Sequence, residues 1–469
     1  MSTLKFDMCY LSSLRTIAWR KLFSAGVTLT TRLSFTGKYS NTHYAQNYAV
    51  STTRMGIFPA NVTVHNCHKR YLGVVAIAPG FSHTILVKQD GSVWSAGVTF
   101  NDRSKSFVQV ISSGATTAAA GYYHSIVLRQ DDSVWTAGRN SRGQLGDGTT
   151  AGRSTFAAVK VIPYSMSVAA GHQYIVVLTE SGQLWAAGSN QYGQLGAGSG
   201  GYARTRFFLA ISSHAKAVAA GDSHTVVVMQ DGSVWATGRN NNGQLGDGSK
   251  VDRSTFLSIM FSGVEGVAAG GCHSLVLKHD GSVWATGWNK YGQLGDHSTI
   301  DRVNYAQVVS SGAKAVATGR QHSMMLKQDG SVWATGCNDS GQLGDRASNS
   351  HVFVQVISDG AKAVAAGGFH SMVLKQDGSI WATGSNKDGQ LGDTKIRTEF
   401  SFARLAPFYK GSSYDYIMFT RIYAHDVILH FSCSILLSIY PCMFLHRFVI
   451  SSAIWIPCTL QMTLRVRTL

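Results

Sequence analysis

Short apolar runs alternate with turn residues in a pattern that repeats seven times along the chain. The fullest copy, around Trp235, reads HTVVVMQDGSVWATGRNNNGQLGDG. Its runs are short, mix β-branched, aromatic and small side chains, and show no helical period, which indicates strands. The Asp-Gly pair between the second and third runs is typical of a tight hairpin turn, in which we expect both residues to adopt positive φ. The pattern therefore predicts four short strands in each repeat.

Seven tryptophans mark the period of this repeat. Consecutive members lie 41, 50, 50, 49, 49 and 48 residues apart, a range typical of propellers and solenoids. A single four-stranded sheet cannot bury its own faces, whereas a closed ring of stacked sheets can. We therefore predict an all-β fold, a seven-bladed β-propeller of four-stranded antiparallel blades, with the tryptophans packing between blades. The seven are Trp94, Trp135, Trp185, Trp235, Trp284, Trp333 and Trp381.

The domain organisation follows from where the repeats begin and end. The propeller is predicted over residues 73–405, between a non-repeat N-terminal tail, 1–72, and a non-repeat C-terminal tail, 406–469. The run EFSFARL at 399–405 can complete the last blade, or it can pair with the strand predicted at 74–78 and stitch the ring closed. We favour stitching, because a seam without a shared strand is held by packing alone.

Residues that recur in every repeat indicate architecture, because seven copies of one catalytic group serve no obvious chemistry. The histidine of Gly-x-x-His recurs in six repeats, with Tyr174 in its place in the third. This favours buried hydrogen-bonding residues over a metal site or a proton relay. The Asn and Gln of the recurrent loop Asn-x-x-Gly-Gln-Leu-Gly are expected to bond its backbone. Ion pairs that close this loop are predicted in three repeats, between Asp147 and Arg153, Asp247 and Arg253, and Asp296 and Arg302.

Residues that vary between repeats are where a function is expected. Successive connections in an up-and-down sheet alternate between its ends, so the Gly-x-x-His turns and the Asn-x-x-Gly loops share one end, the GxxH end. The hairpin turns and inter-blade linkers share the other, the hairpin end, which is predicted to be uniform. Exposed aromatic and arginine residues at the GxxH end are typical of a protein-binding surface. The candidate partner-binding residues are Phe81, Tyr122, Tyr123, Arg139, Arg142, Asp222, Arg239, Trp288, Tyr291, Arg320, Gln321 and Phe369.

Three motifs in fixed order, the Gly-x-x-His-Ser turn, the Gly-rich hairpin and the NxxGQLG loop, resemble the regulator of chromosome condensation repeat family. The resemblance covers 73–405, although the first repeat has lost the GQLGD loop after Gly97. It implies a seven-bladed propeller used as a binding platform. Of the functions it implies we favour a non-enzymatic protein-interaction scaffold over an exchange factor or regulator for a Ran-type small GTPase, or a chromatin-associated adaptor.

The net charge of +16 resides mainly in the tails. Residues 73–400 carry 26 Lys and Arg against 22 Asp and Glu, whereas residues 1–72 and 401–469 together supply the remaining +12. Nucleic-acid binding through the propeller is therefore not indicated. We find no catalytic, cofactor or metal motif and expect a monomeric protein that is not an enzyme and binds a protein partner.

The two tails leave alternatives open. The N-terminal tail is basic, rich in Ser and Thr and poor in Asp and Glu. This composition fits either a mitochondrial targeting segment or an N-terminal segment without a targeting function. In the second, the apolar run 427–445 fits either a membrane span, the one predicted route to a membrane, or a tail of other origin. Cysteine usage gives no disulfide pattern, because only Cys272 and Cys337 lie within the repeats and they occupy different blades. A reducing, intracellular compartment, cytoplasm or nucleus, is therefore the default expectation.

Overall fold

The computed structural model describes residues 73–99, 102–198, 201–259, 262–393 and 398–405, together with strands at 28–39, 42–49, 423–424, 427–428 and 460–467. The chain divides into two units. The first is Arg70–Phe408, and the second is formed by Met1–Lys69 together with Tyr409–Leu469.

The second unit contains two small sheets. Strand Thr28–Tyr39 pairs antiparallel with Thr42–Ala49 on one edge and with Leu460–Arg467 on the other, and Tyr423–Ala424 pairs with Val427–Ile428. The rest of the two tails, including most of the run considered as a membrane span, lies outside the described residues. Among the residues that are described, no helix is long and apolar enough to cross a bilayer.

The first unit contains seven antiparallel sheets, blades 1 to 7, each with four strands that follow one another in chain order. The first strands are Val74–Pro79, Ala115–Ala120, Ser165–Ala170, Ala215–Ala220, Val264–Ala269, Ala313–Thr318 and Ala361–Ala366. The second strands are His83–Lys88, His124–Arg129, Tyr174–Thr179, His224–Met229, His273–Lys278, His322–Lys327 and His370–Lys375. The third strands are Val93–Thr99, Ser133–Gly138, Leu184–Gly188, Val234–Gly238, Val283–Gly287, Val332–Gly336 and Ile380–Ser385. The fourth strands are Asp102–Ile111, Arg153–Val161, Arg204–Ile211, Arg253–Ile259, Arg302–Val309, Ser350–Ile357 and Thr398–Arg404.

The blades form a closed ring. First strands of neighbouring blades contact one another around a central axis, and Ala361–Ala366 of blade 7 contacts Val74–Pro79 of blade 1. The second strands are buried along almost their whole length, as in HTVVVM of blade 4, because both faces of each blade are covered by neighbours. The predicted seven-bladed propeller of four-stranded blades is confirmed.

Apolar clusters between blades hold the ring together. Between blades 4 and 5 the buried side chains of Val226, Leu245, Val276 and Tyr305 form one cluster, with Trp284 packed against it. Fully burying each such side chain contributes about 1.5–3 kcal/mol. The half-buried tryptophans that pack in this way against a cluster shared with the preceding blade are Trp94, Trp135, Trp185, Trp284, Trp333 and Trp381.

The hairpin turn differs from the prediction in its backbone. In blade 4 the N–H of Gly232 donates to the carbonyl of Met229 (2.9 Å) and that of Met229 donates to Ser233 (2.8 Å), while only Gly232 has positive φ. A type I turn followed by a left-handed glycine needs only one such residue. The neighbouring Asp231 carboxylate instead accepts the Ser233 N–H (2.8 Å), and the Ser233 hydroxyl accepts the indole N–H of Trp235 (3.1 Å).

The predicted stitching of the ring is wrong. Strand Thr398–Arg404 pairs with Ile380–Ser385 inside blade 7, and blade 1 is completed by its own four strands. The seam is closed by packing, because Val74, Leu86 and Phe107 of blade 1 share one apolar cluster with Leu374 and neighbouring residues of blade 7. A backbone hydrogen bond of 3.0 Å from Gly368 to Gly80 spans the same junction.

Because every blade is complete within its own repeat, residues 73–405 are expected to fold without the tails. Thermal unfolding followed by tryptophan fluorescence should show one cooperative transition for 73–405, within a few degrees of that of the full chain. An aggregated or unfolded fragment would mean that a tail supplies an essential contact.

Candidate protein-binding face

The GxxH end is built from two loop classes that are joined by backbone hydrogen bonds. In each blade the residue after the third-strand glycine donates its N–H to the carbonyl of the residue before the Gly-x-x-His histidine. Arg239 donates in this way to Ser223 (2.8 Å), and Trp288 donates to Cys272 (2.8 Å). The Gly-x-x-His turns and the Asn-x-x-Gly loops therefore share one end of the ring, as predicted.

A ring of buried histidines lies beneath this end and links the blades. His224 Nε2 lies 2.9 Å from the Ser274 hydroxyl of the next blade, and that hydroxyl donates to the carbonyl of Gln244 (2.8 Å). The Nε2–H of His224 must therefore be the donor. His83 Nε2 likewise lies 2.8 Å from the Ser125 hydroxyl. Each of the other four histidines also contacts the next blade through its Nε2; they are His124, His273, His322 and His370.

Burial sets the protonation state of these rings. All six are at most 1% exposed, and burial lowers the pKa of His83 and His224 to about 4 and that of the other four to about 3. In blade 3, Tyr174 replaces the histidine and its hydroxyl donates to the carbonyl of His224. The rings are neutral hydrogen-bonding residues that tie neighbouring blades together.

The Asn-x-x-Gly-Gln-Leu-Gly loop is rigid because its polar side chains bond its own backbone. Asn240 Oδ1 accepts the N–H of Leu245 (3.0 Å) and Gln244 Oε1 accepts that of Asn242 (2.9 Å). Arg253 closes the loop by an ion pair of 2.7 Å to Asp247, and the equivalent pairs predicted in two other blades are present as well. The variable residues between these anchors are therefore held in fixed positions.

The mouth of the central channel carries an aromatic cluster. Phe81 stacks on Tyr122 with ring centroids 4.0 Å apart, Tyr122 meets His172 at 4.2 Å, and Phe81 meets Phe369 at 5.4 Å. Glycine in blade 7 makes room for this cluster, because a β-carbon at Gly368 would lie 2.7 Å from the Phe81 ring. We call these aromatic residues the mouth cluster.

Beside the mouth cluster lies a pocket of about 550 Å³, the side pocket, formed by blades 3 to 6. Arg320 Nε of blade 6 lies 3.6 Å from Asp222 Oδ2 of blade 4. The pair spans blade 5 because Gly271 has no side chain there; a β-carbon at Gly271 would lie 2.9 Å from Arg320 Cγ. Burial raises the pKa of Asp222, opposed by Arg320 and His172, and burial lowers the pKa of His172.

The structure brings together most of the predicted partner-binding residues. Phe81, Tyr122, Tyr123 and Phe369 meet at the mouth. The candidates that line the side pocket are Asp222, Arg239, Trp288, Arg320 and Gln321. Tyr291 packs on Trp288 at 5.5 Å, outside the pocket lining.

Two candidates stand apart, and several lining residues were absent from the predicted set. Arg139 and Arg142 are exposed and line neither the mouth nor the side pocket. The side-pocket residues outside the candidate set include His172, Tyr192, Asn242 and Cys272. His172 and Cys272 occupy the variable Gly-x-x-His positions, so variability between repeats was the available signal.

Two expectations about exposure and uniformity need correction. Tyr123, Trp288 and Arg320 were expected to be exposed but are half-buried, because each packs on a neighbouring side chain or lines the pocket. The hairpin end is also not uniform, since the linker between blades 2 and 3 exposes Val161 (60%) and Tyr164 (69%).

The comparisons with known proteins agree with this architecture. Residues 49–309 match the profile of the RCC1-like domain, and segments 313–342, 329–374 and 361–390 match the Regulator of chromosome condensation (RCC1) repeat. No curated protein sequence matches the chain.

Solved structures show the same fold at low sequence identity. Human WBSCR16 is 18% identical, with a TM-score of 0.58 over 74% of this chain and 98% of its own. Yeast RCC1 (Prp20), solved with Kap60, is 18% identical with a TM-score of 0.60, over 81% and 93%. Prp20p from Saccharomyces cerevisiae, in a structure described with its binding to Gsp1p and histones, gives 19%, 0.59, 76% and 92%. Because the RCC1-like profile spans more than half of the chain and the propeller carries the same repeats, this protein belongs to the RCC1-like domain family.

Proposed function

We propose that this protein is a non-enzymatic scaffold that binds a protein partner through the GxxH end of its propeller. The observation that carries the proposal is the concentration of half-buried aromatic and arginine side chains at this end, in the mouth cluster and the side pocket. Rigid aromatic and arginine anchors bordered by polar residues are typical of the residues that dominate protein–protein binding energy. The proposal assigns no bond-making chemistry to any residue.

Two related functions rest on the similarity to Prp20. Structures of that protein are described with Kap60, Gsp1p and histones. An exchange factor or regulator for a Ran-type small GTPase is therefore the second candidate, and a chromatin-associated adaptor is a third. An exchange factor would accelerate release of a fluorescent guanine nucleotide from a purified Ran-type GTPase, whereas a scaffold would leave the release rate unchanged.

Substitution of Tyr123, Trp288 and Arg320 together by alanine is expected to abolish partner capture by the immobilised full chain. These side chains lie in three different blades of the GxxH end, and we expect the triple change to cost about 1 kcal/mol of stability per site because all three are half-buried. Captured proteins from cell extract are identified and quantified by mass spectrometry for wild type and variant, with thermal unfolding as the test of folding.

The matched control changes three residues of the hairpin end, Tyr164, Lys278 and Lys327, to alanine. It includes the one exposed aromatic residue of the non-uniform linker. Capture should survive in this variant. Loss of the partner with the hairpin-end variant, and retention with the GxxH-end variant, would place the binding surface at the opposite end.

A further inference from the structure

The side pocket contains an arginine, Arg239, that has no ion-pair partner among the described residues. Arg320 faces Asp222 at 3.6 Å, whereas the Arg239 guanidinium stacks 4.9 Å above the Tyr192 ring. Within the part of the chain that the structure describes, Arg239 makes no side-chain hydrogen bond or ion pair. A half-buried guanidinium that keeps its charge and leaves its donors unused is a ready binding group for an anion.

The other carboxylates near this pocket are already engaged. Asp301 accepts hydrogen bonds from Asn289 N–H (2.9 Å) and Asn242 Nδ2 (3.2 Å), and Asp252 accepts one from Asn240 N–H (2.7 Å). These bonds hold the loops in place. Asp222 is thus the carboxylate that pairs with a pocket arginine, at 3.6 Å from Arg320. Among the described residues, no carboxylate forms an ion pair with Arg239, so its guanidinium can still pair with a carboxylate of a ligand.

The pocket also has an apolar wall and amide groups. Trp288 is half-buried in the lining and is braced by Tyr291 at 5.5 Å. Gln173, Gln321 and Asn242 supply amide groups that can pair with a peptide backbone. A volume of about 550 Å³ exceeds that of a simple anion and falls in the range of small-molecule binding sites, large enough for a few side chains of a peptide.

We propose that the side pocket binds a short acidic peptide segment of the partner protein. In this arrangement an aspartate or glutamate carboxylate of the peptide pairs with Arg239 and Arg320, and a neighbouring aromatic or aliphatic side chain packs on Trp288. The inference deepens the proposed function, on which it rests, by assigning the chemistry of the recognised segment.

The test selects short random peptides displayed on phage against the immobilised full chain. Selected peptides are synthesised with a fluorescent label, and their affinity is measured by polarisation. Peptides should be enriched in acidic residues beside an aromatic or aliphatic residue, and replacing Asp or Glu by Asn or Gln should weaken binding about tenfold or more. Absence of acidic enrichment among the selected peptides overturns the proposal.

Variants locate the site. Arg239→Gln and Arg320→Gln should each weaken binding of the acidic peptide about tenfold, whereas Arg239→Lys should weaken it less because the charge is kept. Arg346→Gln is the control, because Arg346 is an exposed arginine in the third-to-fourth-strand loop of blade 6, outside the pocket. Equal affinity of wild type and both pocket variants, all folded by thermal unfolding, overturns the proposal.

The two proposals fail separately. If the partner captured from extract is lost with the Tyr123, Trp288 and Arg320 triple variant but retained by Arg239→Gln, binding through the GxxH end stands and the acidic-peptide assignment falls. If neither variant affects capture, both proposals fall.

Discussion

Acidification from pH 7 to pH 4.5 is expected to unfold the propeller. The six buried histidines have pKa values of about 3 to 4 in the folded protein, against about 6.5 in an unfolded chain. The folded state therefore binds fewer protons, so the free energy of unfolding is greatest above pH 6.5 and falls as the pH drops from 6.5 towards 4. At pH 5 the loss is on the order of 2 kcal/mol per histidine.

The summed loss of unfolding free energy for six histidines is comparable with the total stability of about 5–15 kcal/mol that is typical of a protein. Urea unfolding followed by tryptophan fluorescence between pH 8 and pH 5 gives the slope of the free energy against pH, and hence the number of protons taken up. The aspartates of the hairpin turns do not explain this window, because hydrogen bonds from serine lower the pKa of Asp231 and of its counterparts. A protein that keeps its full stability at pH 4.5 would contradict the prediction.

A single variant can assign part of the slope. His273→Gln removes one titrating ring while offering an amide N–H to Ser323, which His273 Nε2 meets at 2.9 Å. At pH 8 it should cost about 1–2 kcal/mol, and its slope below pH 6.5 should be lower by about one proton. The exposed His351→Gln is the control and should follow the wild-type curve.

Most of the fold could be predicted because the period, the turn glycines and the tryptophans are local signals repeated seven times. The closure of the ring could not be predicted, because a final strand at 398–404 fits the repeat pattern equally well within blade 7 or beside blade 1. The choice depends on packing across the junction, where Phe107 enters a cluster with residues of blade 7. The spacing of the repeats in the sequence does not predict that contact.

The end of the ring that carries the candidate site could also be predicted, but its internal arrangement could not. Variation between repeats locates the GxxH end because chain direction alternates in each blade. The meeting of Asp222 with Arg320 spans two blades and depends on the missing side chain of Gly271 between them. Such contacts between residues about a hundred positions apart follow from the radius and closure of the ring.

Gly319→Ala is expected to destabilise the propeller by more than about 3 kcal/mol. A β-carbon at Gly319 would overlap the imidazole of His322 and the carbonyl oxygen of Gly367 in the next blade. The carbonyl is backbone at the inter-blade junction and the ring is bonded to Ser371 at 2.8 Å, so neither can move without separating blades 6 and 7. Chemical unfolding at pH 8 measures the loss while the histidines remain neutral.

Gly266→Ala supplies the matched control, because it makes the same chemical change in the first strand of blade 5 with the opposite expected sign. A β-carbon there would meet no atom within 4 Å, and the equivalent positions of blades 4 and 6 are alanines, Ala217 and Ala315. Replacing glycine by alanine in unstrained backbone lowers the entropy of the unfolded chain, so stability should rise by about 0.4–1 kcal/mol. Neither glycine has positive φ, so backbone conformation does not distinguish the two positions. Opposite effects of the two substitutions would therefore assign the Gly-x-x-His glycine to the close approach of neighbouring blades, whereas similar effects would contradict that assignment.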